Sequence, residues 1–233
     1  MNISTPTVLI PGLFASPRFY EKQLAALWRF GPVMVADHTR DDTMAGIAKR
    51  VLDNAPPRFN LVGHSMGGYI AFEILRQAGS RVAKLGLLNT SARADLPEQT
   101  EKRLGQIALA QSGRFAEVPD LQFPHLVHPA RKNDGALLRM VKLMAEDTGP
   151  EGFVRQQKAI MARVDSRPGL SAIRCPVLML VGDRDEITPP DKAAEIAEGV
   201  SDVQLVTVKE CGHLSALERP EAVTEALIAW LAR

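Results

Sequence analysis

Residues 59–75 read Phe59-Asn60-Leu61-Val62-Gly63-His64-Ser65-Met66-Gly67-Gly68-Tyr69-Ile70-Ala71-Phe72-Glu73-Ile74-Leu75. Phe59–Val62 has the aromatic and β-branched character of a buried strand, and from Met66 the apolar positions recur at helical spacing. Gly63-His64-Ser65-Met66-Gly67 joins the two with the spacing G-x-S-x-G. So tight a turn holds Ser65 in a strained conformation, with its hydroxyl projecting above the carboxyl end of the strand. Strand and helix pass so close there that a Cβ at 63 or 67 is expected to clash. The helix start also aims free N–H groups and the positive end of its dipole at the space above Ser65. Phosphate-binding readings fit poorly. No Lys-Ser/Thr pair follows, as a P-loop requires, and a dinucleotide fingerprint belongs after the first strand with another glycine spacing.

Outward from this turn, short apolar runs alternate with helical stretches. The runs are Thr7–Ile10, Val33–Ala36, Phe59–Val62, Lys84–Leu88, Val177–Val181 and Val203–Val208. Arg18–Phe30, Thr43–Asn54, Met66–Gln77 and Asp191–Glu198 read as helices. A last helix runs from about Pro220 to Leu231, with Val223, Leu227, Trp230 and Leu231 on its apolar face. The alternation predicts an α/β fold, a mostly parallel sheet of about six strands with helices on both faces. Residues 91–170 break the rhythm. They contain helical pieces, Glu98–Gln111, Asp134–Ala145 and Glu151–Val164, and no convincing strand. So long a block exceeds a plain loop and predicts a helical cap inserted into a core made of residues 1–90 and 171–233.

Bulk composition narrows the function classes. The 233 residues carry 28 Lys plus Arg against 27 Asp plus Glu, a net charge of +1. Nucleic-acid binding needs a basic excess that is missing here. Residues 91–170 hold 12 basic and 10 acidic side chains, too even a balance to name a substrate charge. No apolar run approaches the roughly 20 residues that span a bilayer, and the first residues lack a basic, apolar leader. The expected setting is cytoplasmic, with no membrane and no nucleic-acid partner. Cys175 and Cys211 lie at opposite ends of neighbouring elements, too far apart for a disulfide. Their spacing fits no metal site, and no metal or cofactor is implied.

A serine hydroxyl needs a base to become a nucleophile near neutral pH. Of five histidines, His64 adjoins Ser65 and is expected to pack beneath the turn. His38 follows a strand and can line the cleft, while His125 and His128 fall in the helical block. His213 is best placed, in a loop after the last strand and before the last helix, at the sheet edge that carries Ser65. The preceding strand ends in Gly182-Asp183-Arg184-Asp185-Glu186-Ile187-Thr188-Pro189. Asp183 leaves the strand almost directly and can cap the turn or pair with Arg184. Asp185 can curve back and accept the imidazole N–H, fixing the tautomer.

Together these segments resemble the α/β-hydrolase superfamily, with Ser, Asp and His in that chain order. Leu9-Ile10-Pro11-Gly12-Leu13-Phe14 looks like its oxyanion loop, and Gly63–Gly68 like its nucleophile elbow. Gly182–Pro189 is similar to its acid turn, and Cys211-Gly212-His213 with Leu217-Glu218-Arg219-Pro220-Glu221 to its histidine loop and final helix. The resemblance implies a catalytic triad of Ser65, Asp185 and His213. It favours Asp185 over Asp183, and also because Asn89 stands where some relatives carry their acid. It assigns the oxyanion hole to the backbone N–H groups of Leu13 and Met66. Pro11 replaces a histidine common in relatives, and Thr7–Ile10 stands where larger members have their third strand.

Such a site implies acyl transfer to water, with a small-molecule carboxylic ester as the expected substrate. Carbon–carbon or lactone cleavage, or a lyase step, on an acidic substrate is the alternative with the same residues, its charge met by Arg93, Arg114 or Arg131, although these arginines read more simply as solvated. A ligand-sensing protein that retains the triad is a third reading.

Overall fold

In the computed structural model, which describes residues 4–233, the apolar runs form six strands: β1 (Thr7–Ile10), β2 (Val33–Val35), β3 (Phe59–His64), β4 (Val82–Leu88), β5 (Val177–Gly182) and β6 (Val203–Val208). They make one sheet in the order β2-β1-β3-β4-β5-β6, with every neighbouring pair parallel. Nine helices accompany them among the described residues: α1 (Glu21–Trp28), α2 (Met44–Asn54), α3 (Met66–Ala78), α4 (Pro97–Leu109), α5 (Val118–Leu126), α6 (Gly135–Met161), α7 (Pro190–Gly199), α8 (Ser215–Glu218) and α9 (Pro220–Ala232).

The strands read as unbroken apolar runs because both faces of the sheet are covered. Val8, Leu61, Leu87 and Met179 point to one side, against Ile47 and Val51 of α2, Ile70 and Ile74 of α3 and Ile196 of α7. Their chain neighbours Leu9, Val62, Leu88 and Leu178 point to the other, against Leu27 of α1 and Val223, Leu227 and Trp230 of α9. This is the period-two alternation of a strand expressed as two cores. Thr43 caps α2 by accepting the Gly46 N–H at 3.1 Å, as its place before the helix leads one to expect.

Between β4 and β5 no strand occurs among the described residues, only α4, α5 and α6 with short 3₁₀ and π turns. α5 is unanticipated by periodicity, since Pro119 and Pro124 both fall within it. The helices expected at 134–145 and 151–164 form one element, α6, broken where Gly149 takes φ 70° and ψ 162°. Pro150 follows and lacks an N–H, so interrupting the helix there costs little hydrogen bonding. Within this segment the buried side chain of Asp95 accepts from Arg103 of α4 at 3.0 Å and from Arg163, just past α6, at 2.6 Å, tying its first and last helices together. The Arg163 guanidinium lies 4.3 Å from the Tyr69 ring of α3.

Candidate active site

The chain leaves β1 towards β2 and then returns to β3 on the other side, so the carboxyl ends of β1 and β3 form a topological switch point, where open α/β sheets bind their ligands. Ser65 stands at this switch point with φ 51° and ψ −114°, a conformation that costs about 1–3 kcal/mol and marks functional turns. Its N–H donates to the Leu88 carbonyl at 2.9 Å, and its own carbonyl accepts from Gly68 N–H at 2.9 Å and Thr90 Oγ1 at 2.8 Å. A Cβ on Gly63 would lie 2.2 Å from the Gly67 oxygen, and one on Gly67 2.1 Å from the Ile10 oxygen. From Phe59 to Phe72 every residue is buried except Ser65.

The acid turn and the histidine loop meet. His213 Nδ1 lies 2.9 Å and 3.0 Å from the two carboxylate oxygens of Asp185, and both residues are about 3% exposed. Asp185 Oδ1 also accepts the N–H groups of Ile187 and Thr188, each at 2.9 Å, while Oδ2 accepts Thr188 Oγ1 at 2.8 Å and Asn89 Nδ2 at 2.9 Å. Burial opposes ionisation of this carboxyl. The charge and hydrogen bond of His213, with the Thr188 and Asn89 donors, outweigh it and hold the pKa at about 2. Asp183 does not pair with Arg184; it accepts the Cys211 N–H at 3.1 Å and so braces the histidine loop.

Ser65 Oγ makes no hydrogen bond to the His213 ring among the described residues, as is common before substrate tightens a site. The two loops are joined beneath it instead. His64 donates from Nε2 to the His213 carbonyl at 2.9 Å and stacks on Phe19 with ring centroids 4.0 Å apart. Burial, reinforced by the nearby His213 charge, lowers the His64 pKa to about 3, so this ring is neutral and serves as a spacer.

Leu13 lies in the loop that crosses from β1, and a Cβ on Gly12 would come 3.3 Å from the Cβ of Ser65. The loop reaches the elbow, and Met66 follows Ser65 as the first residue of α3. The Tyr20 hydroxyl donates to the Ile10 carbonyl at 3.1 Å, and His38, which is buried instead of lining a cleft, donates to Gly12.

Sequence reasoning missed several residues that hold this arrangement. Asn89, at φ 46°, donates to both Asp185 and the Gly212 carbonyl and accepts the Ser215 hydroxyl at 2.6 Å. The buried Glu218 carboxylate accepts Gly212 N–H at 2.9 Å and His128 N–H at 2.7 Å. Burial pushes its pKa up against the pull of these donors. The last carbonyl of α5, on Leu126, receives the N–H of His213 at 2.9 Å. The helical segment therefore grips the histidine loop directly. Arg93, Arg114 and Arg131 are engaged with Glu195, Glu117 and Asp134 in partly exposed ion pairs.

A cavity of about 590 Å³ opens between α4, α5 and the acid turn, lined in part by Leu109, Leu121, His125 and Ile187. A groove of about 670 Å³ lies at the amino ends of β4 and β5, beside Val82 and Cys175, and includes none of these site residues. Both cysteines are free. Among the described residues no cluster of three or more His, Cys, Asp or Glu is arranged to hold a metal, and no helix is long and apolar enough to cross a membrane.

Residues 7–226 match the alpha/beta hydrolase family, and the chain belongs to it. It is 26% identical over 215 residues to the 2-hydroxy-6-oxononadienedioate/2-hydroxy-6-oxononatrienedioate hydrolase of Escherichia coli K12, covering 88% of this chain and 74% of that one. A thermophilic esterase from Thermogutta terrifontis, solved with malate bound, superposes with a TM-score of 0.89 at 27% identity, over 98% of this chain and 89% of the other. The enol-lactonase of Burkholderia xenovorans LB400 shares the fold, with a TM-score of 0.87 at 23% identity over 99% and 92% of the two chains.

Proposed function

We propose that this protein cleaves small carboxylic esters through a Ser65–His213–Asp185 triad. Ser65 Oγ adds to the substrate carbonyl carbon as its proton passes to His213 Nε2. The oxyanion is held by the N–H groups of Leu13 and Met66, and collapse of the adduct expels the alcohol, which takes the proton from His213. Water, deprotonated by the same ring, then attacks the acyl-enzyme and releases the acid and Ser65. Asp185 keeps the Nδ1 proton in place and stabilises the imidazolium. On this reading residues 91–170 act as a cap over the site. The observation that carries it is the buried Asp185–His213 pair, at the sheet edge shared with a strained, partly exposed serine.

A second reading keeps the machinery and changes the bond, to a lactone or a carbon–carbon bond beside a ketone. The Escherichia coli relative, a hydrolase of a dicarboxylated compound by name, favours it. A panel of p-nitrophenyl esters, lactones and carboxylated diketones separates the two. Ser65→Ala should remove the preferred activity by at least about 10⁴-fold while leaving the fold intact. Turnover of the preferred substrate at the original rate by this variant refutes the assignment.

A further inference from the structure

Two buried side chains grip the loop after β1 from different elements. His38, just past β2, donates from Nε2 to the Gly12 carbonyl at 2.8 Å. Gln156, in the second half of α6, accepts the Phe14 N–H on Oε1 at 2.9 Å. These bonds fall on consecutive peptide groups, Gly12–Leu13 and Leu13–Phe14, the two that flank Leu13. In a planar trans peptide the C=O and N–H point opposite ways. Fixing the Gly12 carbonyl therefore fixes the direction of the Leu13 N–H, and polarisation across the peptide strengthens that donor. Phe14 has φ 41°, which a residue with a side chain keeps only where its surroundings impose it.

The chemistry of the two side chains points beyond packing. Gln156 is fully buried and its Nε2 has no partner. A methionine would fill that space without stranding a donor, so the residue is explained by its oxygen. Burial lowers the His38 pKa, opposed by its bond to Gly12, and a neutral ring that donates from Nε2 keeps this bond through the neutral range.

We propose that His38 and Gln156 are positioning residues that aim the Leu13 N–H at the oxygen of the tetrahedral intermediate. Because Gln156 belongs to the helical segment, the oxyanion hole is complete only when that segment is seated on the core. The inference rests on Ser65 being the nucleophile and Leu13 an oxyanion donor. It is tested with His38→Ala, Gln156→Met and Gln156→Glu, the last of which keeps an acceptor oxygen. The readouts are kcat and KM on a p-nitrophenyl ester, Tm, and inhibition by an alkyl trifluoromethyl ketone, whose adduct with Ser65 puts an oxyanion in the hole. His38→Ala and Gln156→Met should each lose about 10- to 100-fold in kcat with KM little changed, below or near the cost of deleting a donor outright. Ketone affinity should fall by the same factor as kcat/KM, and Gln156→Glu should recover most of the rate. If Gln156→Met does not fold, His38→Ala against the donor-retaining His38→Gln makes the same comparison. Folded variants that keep the wild-type kcat, or that lose it with ketone affinity unchanged, overturn the proposal. Wild-type protein that neither turns over any ester or lactone nor reacts with a fluorophosphonate overturns the functional reading, and this inference with it.

Discussion

Ser65 and Asp185 stand at the carboxyl ends of strands in one sheet and are held there by different forces. Asp185 sits in a net of donors from Asn89, Ile187, Thr188 and His213, so that both its oxygens are occupied. Ser65 has no such net around its hydroxyl. Its position follows from a strained backbone and from two glycines pressed against neighbouring carbonyls. A hydrogen-bonded net tolerates loss of one member at graded cost, whereas close backbone contact has no slack. On the proposed mechanism, the carboxylate that must stay ionised is held by polar groups, and the serine that must present its hydroxyl is held by steric exclusion.

That contrast can be broken at either end. Asp185→Asn keeps the shape but can no longer hold the Nδ1 proton of His213, and kcat should fall about 10³- to 10⁴-fold. Stability near pH 7, followed by urea unfolding, should fall by no more than about 2 kcal/mol, the contribution of the ionised carboxylate. Gly67→Ala should do the reverse. Its methyl would lie 2.1 Å from the Ile10 oxygen, and the loss should exceed about 3 kcal/mol, read as a lower urea midpoint. A variant at 67 as stable as wild type contradicts the steric account of the elbow.

The pH dependence sharpens the acid side. A carboxyl held at about 2 in the fold, below its unfolded value, contributes stability that is complete above about pH 4 and lost as pH falls through 2. This amounts to about 2 kcal/mol. Unfolding free energies compared between pH 5 and pH 2 should show it in wild type and lack it in Asp185→Asn. The smallest loss of rate is expected at Asn89. Asn89→Ala removes one donor of several to Asp185 and leaves the Gly212 carbonyl and the buried Ser215 hydroxyl without that partner, for about a tenfold loss of kcat and about 1–3 kcal/mol of stability. An unchanged rate would mean that the remaining donors fix the carboxylate unaided.

Much of this was legible in the chain itself. Strand limits emerged almost unshifted because burial on both faces makes each strand a dense apolar run, as in Val177–Gly182. The elbow was legible because its glycines are demanded by local geometry, within five residues. Residues whose roles depend on distant partners were not. Nothing in Leu217-Glu218-Arg219 announces a carboxylate that receives the N–H of His128, ninety positions away. The prolines of α5 masked its helical character. Gln156 left a signal that passed unread, since it lies three residues after Phe153 and four before Ile160, on a buried face where a polar side chain calls for a partner. The choice of Asp185 over Asp183 needed the family pattern, because both follow the same strand and only the folded turn separates their partners.

The most direct test of the central claim is covalent. Wild-type protein treated with a fluorophosphonate and digested for peptide mass mapping should carry one adduct, on Ser65. The adduct should be absent from Ser65→Ala and form far more slowly in His213→Ala. A wild-type mass that stays unchanged, or a label on another residue while Ser65→Ala still turns over substrate, would contradict it.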